Sequence, residues 1–163
     1  MASHRAAFRP SILIVDADDD TRSLHKLLLE DAVGHVEEAC DGADAYGRAL
    51  SRPPDLVVTE LRLPRIDGRT LIVRLRSDPR FHDCAILVVS GCAFGQVRDD
   101  LLDAGADDVL LKPCEPDALV SAVRRLTCRQ VRSVEAFGCA RPDVVTALEV
   151  RERFGLARAR AEH

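Results

Sequence analysis

The chain of 163 residues is 47% hydrophobic and 31% charged, with a formal net charge of −4. This length is sufficient to bury a core without disulfides or metals, and the apolar runs are far shorter than the roughly 20 residues that a membrane span needs. The N-terminus also lacks the apolar region of a signal peptide. We therefore expect one domain with an extension, in a cytoplasmic protein that contacts no membrane.

Charge and cysteine placement exclude further classes of protein. Residues 1–128 carry 16 basic against 22 acidic side chains, whereas residues 129–163 carry 7 against 5. An acidic body argues against nucleic-acid binding by the body itself. Six cysteines form no Cys-x-x-Cys pair and have no histidine at metal-ligand spacing: Cys40, Cys84, Cys92, Cys114, Cys128 and Cys139. Reduced and mostly buried thiols are therefore expected.

Five short apolar runs alternate with five helical segments. The predicted strands are 11–15, 35–39, 56–58, 85–89 and 108–111. The first helix is expected to begin at Asp19 or Asp20 as its N-cap. Its leucines recur at helical spacing: Leu24, Leu27 and Leu28. Histidines 25 and 35 are expected at the surface. Repeated strand and helix units predict an α/β fold with a doubly wound parallel sheet, whose most polar strand, 35–39, lies at an edge.

The segment 55–68 carries the most distinctive motif. A short apolar run ends at the acidic residue Glu60, and Pro64 and then Asp67-Gly68 follow. Prolines on both sides of the run stop a helix, so the run is a strand and Glu60 lies at its carboxyl end. Ligands of open parallel sheets bind at that edge.

Three other strand ends carry residues that complete a pattern. Asp16 follows the first strand, Ser90 the fourth, and Lys112-Pro113 the fifth. With the Glu60 motif, this pattern resembles the receiver domain of bacterial two-component response regulators over about residues 11–127. The resemblance implies a flavodoxin-like five-stranded sheet of order 2-1-3-4-5, and a signalling module rather than an enzyme.

The resemblance also implies roles for the strand-end residues. In receivers, two adjacent acids and a phosphoacceptor aspartate bind Mg²⁺, while a Ser/Thr hydroxyl and a lysine contact the phosphoryl oxygens. Asp16 matches the first acid, Ser90 the hydroxyl, and Lys112 the lysine. Glu60 stands at the phosphoacceptor position, where the family has aspartate. The facing charges predict an ion pair of Lys112 with Glu60 and Asp16.

Three positions depart from the receiver pattern. Ala17 replaces the second acid, Glu60 replaces the acceptor, and Val109 replaces the aromatic residue of the switch position. Asp18 reaches a metal only through a nonstandard loop, and the run 18–20 is expected to cap a helix. Mg²⁺, which only Asp16 and Glu60 would hold, is therefore expected to bind weakly or not at all. The added methylene of Glu60 shifts its carboxylate by about 1 Å, and such a shift can lower a rate about 100-fold.

These departures favour a receiver that is independent of phosphorylation. Such a module acts by protein contact, with a histidine kinase or a downstream effector, through the face of helix 4, strand 5 and helix 5. The alternative is a Mg²⁺-dependent phosphoacceptor receiver of a DNA-binding transcriptional regulator. A homodimer, and a redox pair between Cys92 and Cys114, are further candidates.

The chain is expected to divide into three parts. Residues 1–10 form a disordered leader, and residues 11–128 form the receiver. Residues 129–163 form a linker and a C-terminal helix, which is either an accessory helix or the start of a truncated output domain. Nucleic acid enters as a partner only if this extension belongs to an output domain.

Overall fold

The computed structural model describes residues 9–136, with side chains up to residue 128. Five parallel strands form one sheet in the order β2-β1-β3-β4-β5. The strands are β1 Ser11–Val15, β2 His35–Ala39, β3 Leu56–Thr59, β4 Ala85–Ser90 and β5 Asp108–Leu111. The helices are α1 Asp19–Ala32, α2 Gly42–Ser51, α3 Gly68–Ser77, α4 Gln96–Ala104 and α5 Pro116–Ala136, with a 3-10 turn at Pro79–Phe81. The predicted fold class and strand order are confirmed.

The sheet separates two apolar layers. Alternate β1 residues face opposite sides, because side chains alternate along a strand. Ile12 and Ile14 join the layer that packs under α1 and α5, and Leu13 and Val15 join the layer under α2, α3 and α4. β3 and β4 are buried along their whole length, whereas β2 keeps partly exposed residues and lies at an edge, as predicted.

Helix α1 differs from its prediction in two ways. Asp18, one residue earlier than expected, is its N-cap, and its carboxylate accepts a hydrogen bond from the Thr21 amide at 2.8 Å. Two of the three predicted leucines do not lie on the buried face, because Leu24 is 54% exposed and Leu27 is 68% exposed. Leu28 is partly buried, and Leu29 is the leucine that the helix buries fully. His25 is buried, contrary to the prediction that it lies at the surface.

The boundaries of the described fold are wider than the predicted receiver. Pro10, assigned to the leader, is buried, and its carbonyl accepts a hydrogen bond from the His35 amide at 3.1 Å. α5 continues to Ala136, eight residues into the predicted linker. The rest of the predicted leader, 1–8, and the predicted C-terminal helix lie outside the described residues. Within 9–136, no helix has both the length and the apolar character needed to cross a membrane.

Candidate functional site

Four strand ends bring the predicted site residues together. β1, β3, β4 and β5 run parallel, so the residues that end or follow them meet at one edge of the sheet. Asp16 follows β1, and the Glu60 amide donates to the Val15 carbonyl at 2.9 Å. Ser90 ends β4 and accepts, through its carbonyl, from the Lys112 amide at 3.1 Å.

The Lys112 ammonium bridges two carboxylates. Its Nζ lies 2.7 Å from Asp16 Oδ2 and 3.0 Å from Glu60 Oε2, and the lysine side chain is 25% exposed. The predicted ion pair is therefore present. Burial lowers the pKa of Lys112, but hydrogen bonds to both acids outweigh burial and raise the pKa above its ordinary value. The ammonium form is thus the stable form of this group.

Glu60 has a complementary environment. Burial raises the pKa of its carboxyl group, but hydrogen bonds from Ser90, Lys112 and the Leu61 amide outweigh burial and lower that pKa below 4.5. The Leu61 amide donates to Oε1 at 2.6 Å. Glu60 is therefore ionised at neutral pH, and both of its oxygens have donors.

Asp16 is engaged in the same way. Its Oδ1 accepts from the Asp18 amide at 2.9 Å, while its Oδ2 faces Lys112. Asp18 directs its own carboxylate to the start of α1, and Ala17 offers no side-chain oxygen. Among the described residues, no three histidine, cysteine or acidic side chains form a group that could hold a metal ion.

Comparison with known proteins identifies this arrangement. Residues 12–124 match the family model of the response regulator receiver domain. The chain belongs to the response regulator receiver family. Receiver domains are signalling modules of two-component systems, and they interact with histidine kinases and output domains.

Curated relatives of the receiver include transcriptional regulators. The DNA-binding dual master transcriptional regulator RpaA of Synechocystis is 38% identical over 129 residues, which cover 78% of this chain and 53% of that regulator. The transcriptional regulatory protein PrrA of Mycobacterium leprae is 33% identical over 141 residues, which cover 86% of this chain and 59% of that protein. The chain thus spans little more than half the length of these two relatives.

Solved structures agree with the fold of the receiver. The Francisella response regulator 1452 receiver domain is 26% identical with a TM-score of 0.70, covering 74% of this chain and 98% of that chain. A receiver domain protein from Methanospirillum hungatei matches with a TM-score of 0.73 over 78% of this chain and 100% of that chain. At 24% identity, the second likeness concerns the fold alone.

The receiver's Ser90 lies between Glu60 and a cysteine. Ser90 is fully buried, and its Oγ lies 3.3 Å from Cys92 Sγ. Cys114 instead packs against the layer under α1 and α5, and both cysteines are free thiols. Their candidate redox pairing stays a prediction. The expectation of mostly buried thiols is wrong, because among the five described cysteines only Cys84 is buried, whereas Cys40 and Cys128 are exposed.

The predicted contact face combines ion pairs with exposed apolar groups. Asp108 at the start of β5 pairs with Arg98 of α4 and with Arg125 of α5. Val109, at the predicted switch position, is buried, and its carbonyl accepts from Arg98 Nη1 at 2.5 Å. Exposed apolar side chains also lie on α4, in the loop before it, and on β5: Phe94, Val97 and Leu111.

Sequence reasoning missed three features near the site. The Arg22 guanidinium donates to the Asp16 carbonyl at 2.8 Å. His25 is buried on α1, close enough to Lys112 and Asp16 for both charges to act on its pKa. An open groove of about 680 Å³ lies beside Ala17, lined also by Leu61, Arg62, Leu63, Pro64, Asp67 and Arg69. The sequence offered one local signal for this groove, the small side chain of Ala17 directly after Asp16.

Proposed function

We propose that this receiver signals without phosphorylation, as a protein-binding module whose strand-edge site holds a fixed ionic network. The observation that carries the proposal is the double contact of Lys112 with Asp16 and Glu60. In a phosphorylated receiver, the lysine contacts the phosphoryl group. Here the ammonium has both of its counterions before any phosphoryl group arrives.

The metal requirement of phosphoryl transfer argues in the same direction. Mg²⁺ demands near-octahedral oxygen ligands, and Ala17 supplies none. The oxygens of Asp16 and Glu60 already accept hydrogen bonds from Lys112 and backbone amides. A divalent cation would have to displace these donors, so we expect no specific Mg²⁺ binding at low millimolar concentration.

Glu60 at the phosphoacceptor position is a poor acceptor in this arrangement. One oxygen accepts from the Leu61 amide and the other faces Lys112. A carboxylate whose pKa is lowered by these donors is a weaker nucleophile than a free one. The proposed module is therefore not an enzyme and takes no cofactor. Its fixed negative charge faces Lys112 permanently.

The proposed partners are proteins of the cytoplasm. The face of α4, β5 and α5 offers Phe94, Val97 and Leu111 beside the Asp108 ion pairs. An interface with an apolar centre and charged rim is the usual composition of specific protein contacts. A histidine kinase or a downstream effector is the partner class that fits a receiver.

Radiolabelling tests the proposal directly. The full chain is incubated with labelled acetyl phosphate, with and without Mg²⁺, beside the double variant Ala17→Asp/Glu60→Asp. We expect no Mg²⁺-dependent label on the natural chain, and label on the double variant because both missing parts are restored. Saturable labelling of the natural chain that disappears in Glu60→Gln would refute the proposal.

A second function is favoured by the relatives. RpaA is a DNA-binding regulator and PrrA a transcriptional regulator. In this second function, the receiver is the Mg²⁺-dependent phosphoacceptor of a DNA-binding regulator. The residues after 128 then lead to the output domain of that regulator. Duplex binding whose affinity falls steeply with salt, together with Mg²⁺-dependent label on Glu60, is the result that supports this function over the first.

A further inference from the structure

Helix α1 presents an apolar pair between two acids on its outer face. Leu24 and Leu27 are exposed, and Asp20 and Asp31 lie four residues before and four residues after them on the same side. Residues three or four apart are neighbours on a helix surface. We call this set, Asp20, Leu24, Leu27 and Asp31, the leucine stripe. Within residues 9–128, the range whose side chains the structure describes, no basic side chain forms an ion pair with either of its acids.

The groove beside Ala17 has the opposite character. Leu61, Leu63 and Pro64 give it apolar walls, and Arg62 and Arg69 lie exposed at its rim. Neither guanidinium has an ion-pair partner within the described part of the chain.

The acid that also lines the groove forms no ion pair with these two arginines. Asp67 is the N-cap of α3, and its carboxylate accepts from the Thr70 amide at 2.8 Å and from the Thr70 hydroxyl at 3.2 Å. The groove therefore combines apolar surface with two positive charges that lack a counterion. It fits an acidic ligand with apolar side chains.

We propose that two copies of this chain bind each other through these surfaces. Leu24 and Leu27 of one copy enter the groove of the other copy. Asp20 and Asp31 then face the free guanidiniums, Arg62 and Arg69. Guanidinium and carboxylate groups form paired, charge-assisted hydrogen bonds, and leucine contact with an apolar wall removes exposed apolar area from water.

The position of the two surfaces makes the contact reciprocal. Ala17 lines the groove and lies only three residues before Asp20, so the first residue of the stripe lies beside the groove and the stripe runs from there along α1. A two-fold axis between them lets each copy donate its stripe and receive that of the other. Such an interface closes as a dimer instead of growing into a filament.

The proposed contact also touches the strand-edge site. The Leu61 and Arg62 amides donate to Glu60 Oε1, at 2.6 and 3.4 Å, and both side chains line the groove. The second copy would therefore contact the loop whose amides bind the Glu60 carboxylate. The inference deepens the proposed function by naming one protein partner. It does not depend on whether Glu60 accepts a phosphoryl group.

Charge reversal in two separate variants tests the contact. Variant one reverses the stripe, Asp20→Arg/Asp31→Arg, and variant two reverses the groove, Arg62→Asp/Arg69→Asp. Sedimentation of the full chain at sub-millimolar concentration should show a dimer for the natural chain and monomers for each variant alone. An equimolar mixture should form a heterodimer, because both of its stripe and groove contacts then join opposite charges.

Leu27→Asp gives an independent measurement. It should raise the dimer dissociation constant at least about tenfold, as expected for an apolar group at the centre of an interface. The controls are Val73→Asp, at an exposed apolar residue of α3, and Arg52→Glu, at the exposed arginine that follows α2 as its C-cap. Both should leave the dissociation constant within about twofold of the natural value.

Three results would overturn the inference: a natural chain that is monomeric at all concentrations, a dimer that survives both reversals, or a mixture that stays monomeric. A dimer lost in Phe94→Ser but kept in Leu27→Asp would also overturn it, and would place the contact on the α4 and β5 face. Each of these results leaves the labelling test of Glu60 unaffected, so failure of the dimer is distinguishable from failure of the phosphorylation-independent function.

Discussion

Lys112 joins residues that are far apart in the chain, and Asp16 lies 96 residues from it. The chain has only two lysines, Lys26 and Lys112. Lys26 of α1 forms an ion pair with Glu38 of β2 at 2.7 Å, and its side chain is 36% exposed. The two lysines therefore offer a matched comparison between a site ion pair and a surface ion pair.

Replacement of Lys112 should destabilise the fold. Lys112→Ala leaves Asp16 and Glu60 without a counterion. We expect the free energy of unfolding to fall by about 1–4 kcal/mol. This loss is smaller than that for a fully buried ion pair, because the lysine is partly exposed to solvent. Lys26→Ala should cost no more than about 0.5 kcal/mol. Urea unfolding curves of both variants measure these losses. Equal unfolding midpoints would show that the Lys112 ion pairs stabilise the fold no more than the surface pair of Lys26 does.

His25 should make the protein sensitive to mild acid. Burial lowers its pKa below 6.5, and Lys112 adds to the lowering while Asp16 opposes it. Between the folded and unfolded pKa values, the unfolded chain binds more protons, so stability falls as pH drops below 6.5. His25→Leu removes this loss.

Thermal unfolding at pH 8 and pH 5 measures the effect. The stability of His25→Leu relative to the natural chain should increase from pH 8 to pH 5. A pH-independent difference for His25→Leu would mean that the histidine acts only through packing.

At the scale of elements, α2 is positioned by a close backbone approach. A Cβ atom on Gly42, its first residue, would lie 2.0 Å from the Ile66 carbonyl oxygen. On Gly47, in the middle of the same helix, a Cβ atom would meet nothing within 4 Å. The loop before α3 thus rests on the start of α2, and only a glycine permits that distance.

Two alanine substitutions in this one helix should therefore have opposite signs. Gly42→Ala should destabilise the fold by about 1–3 kcal/mol, because backbone atoms have to move. Gly47→Ala should stabilise it by about 0.5–1 kcal/mol through helix propensity. Chemical unfolding measures the free energy of unfolding of both variants. An unchanged value for Gly42→Ala would mean that the loop before α3 can move away from α2 without loss of stability.

For the whole molecule, the proposed function implies one conformation. A ligand shifts an equilibrium only if it binds two states with different affinity. Lys112 already has both carboxylates as partners, and Val109 has no ring that could turn toward Ser90. The negative charge of a phosphoryl group would therefore add little, because Asp16 and Glu60 already give Lys112 its counterions.

Amide NMR spectra with beryllofluoride and Mg²⁺ test this expectation. The natural chain should show no chemical shift changes across Glu60, Ser90 and β5, and its sedimentation should not change. Ala17→Asp/Glu60→Asp should show such changes if the rest of the site is intact. Shifts that spread through the natural chain would restore the ordinary phosphorylated switch.

The sequence by itself determined the elements and the edge at which they meet. Apolar runs between prolines and glycines are local signals, so the five strands and the position of Glu60 at a strand end followed from them. Parallel strands place all their carboxyl ends at one edge. Asp16, Glu60, Ser90 and Lys112 could therefore be placed at one edge without coordinates, while the resemblance to receivers supplied their roles. The ion pair of Lys112 with Asp16 and Glu60 could be predicted from charge.

The tertiary structure alone decided which face α1 buries. The spacing of Leu24 and Leu27 indicates a helix but does not state its rotation. Arg22 and Lys26 both pair with Glu38 of β2, and His25, which lies between them in the helix, is buried.

The groove beside Ala17 likewise joins the loop after β1 to the loop after β3. Such contacts form between residues distant in the chain, whereas capping and periodicity act within one turn. Local signals therefore predicted the strands and helices, and only long-range packing decided which side of α1 is buried.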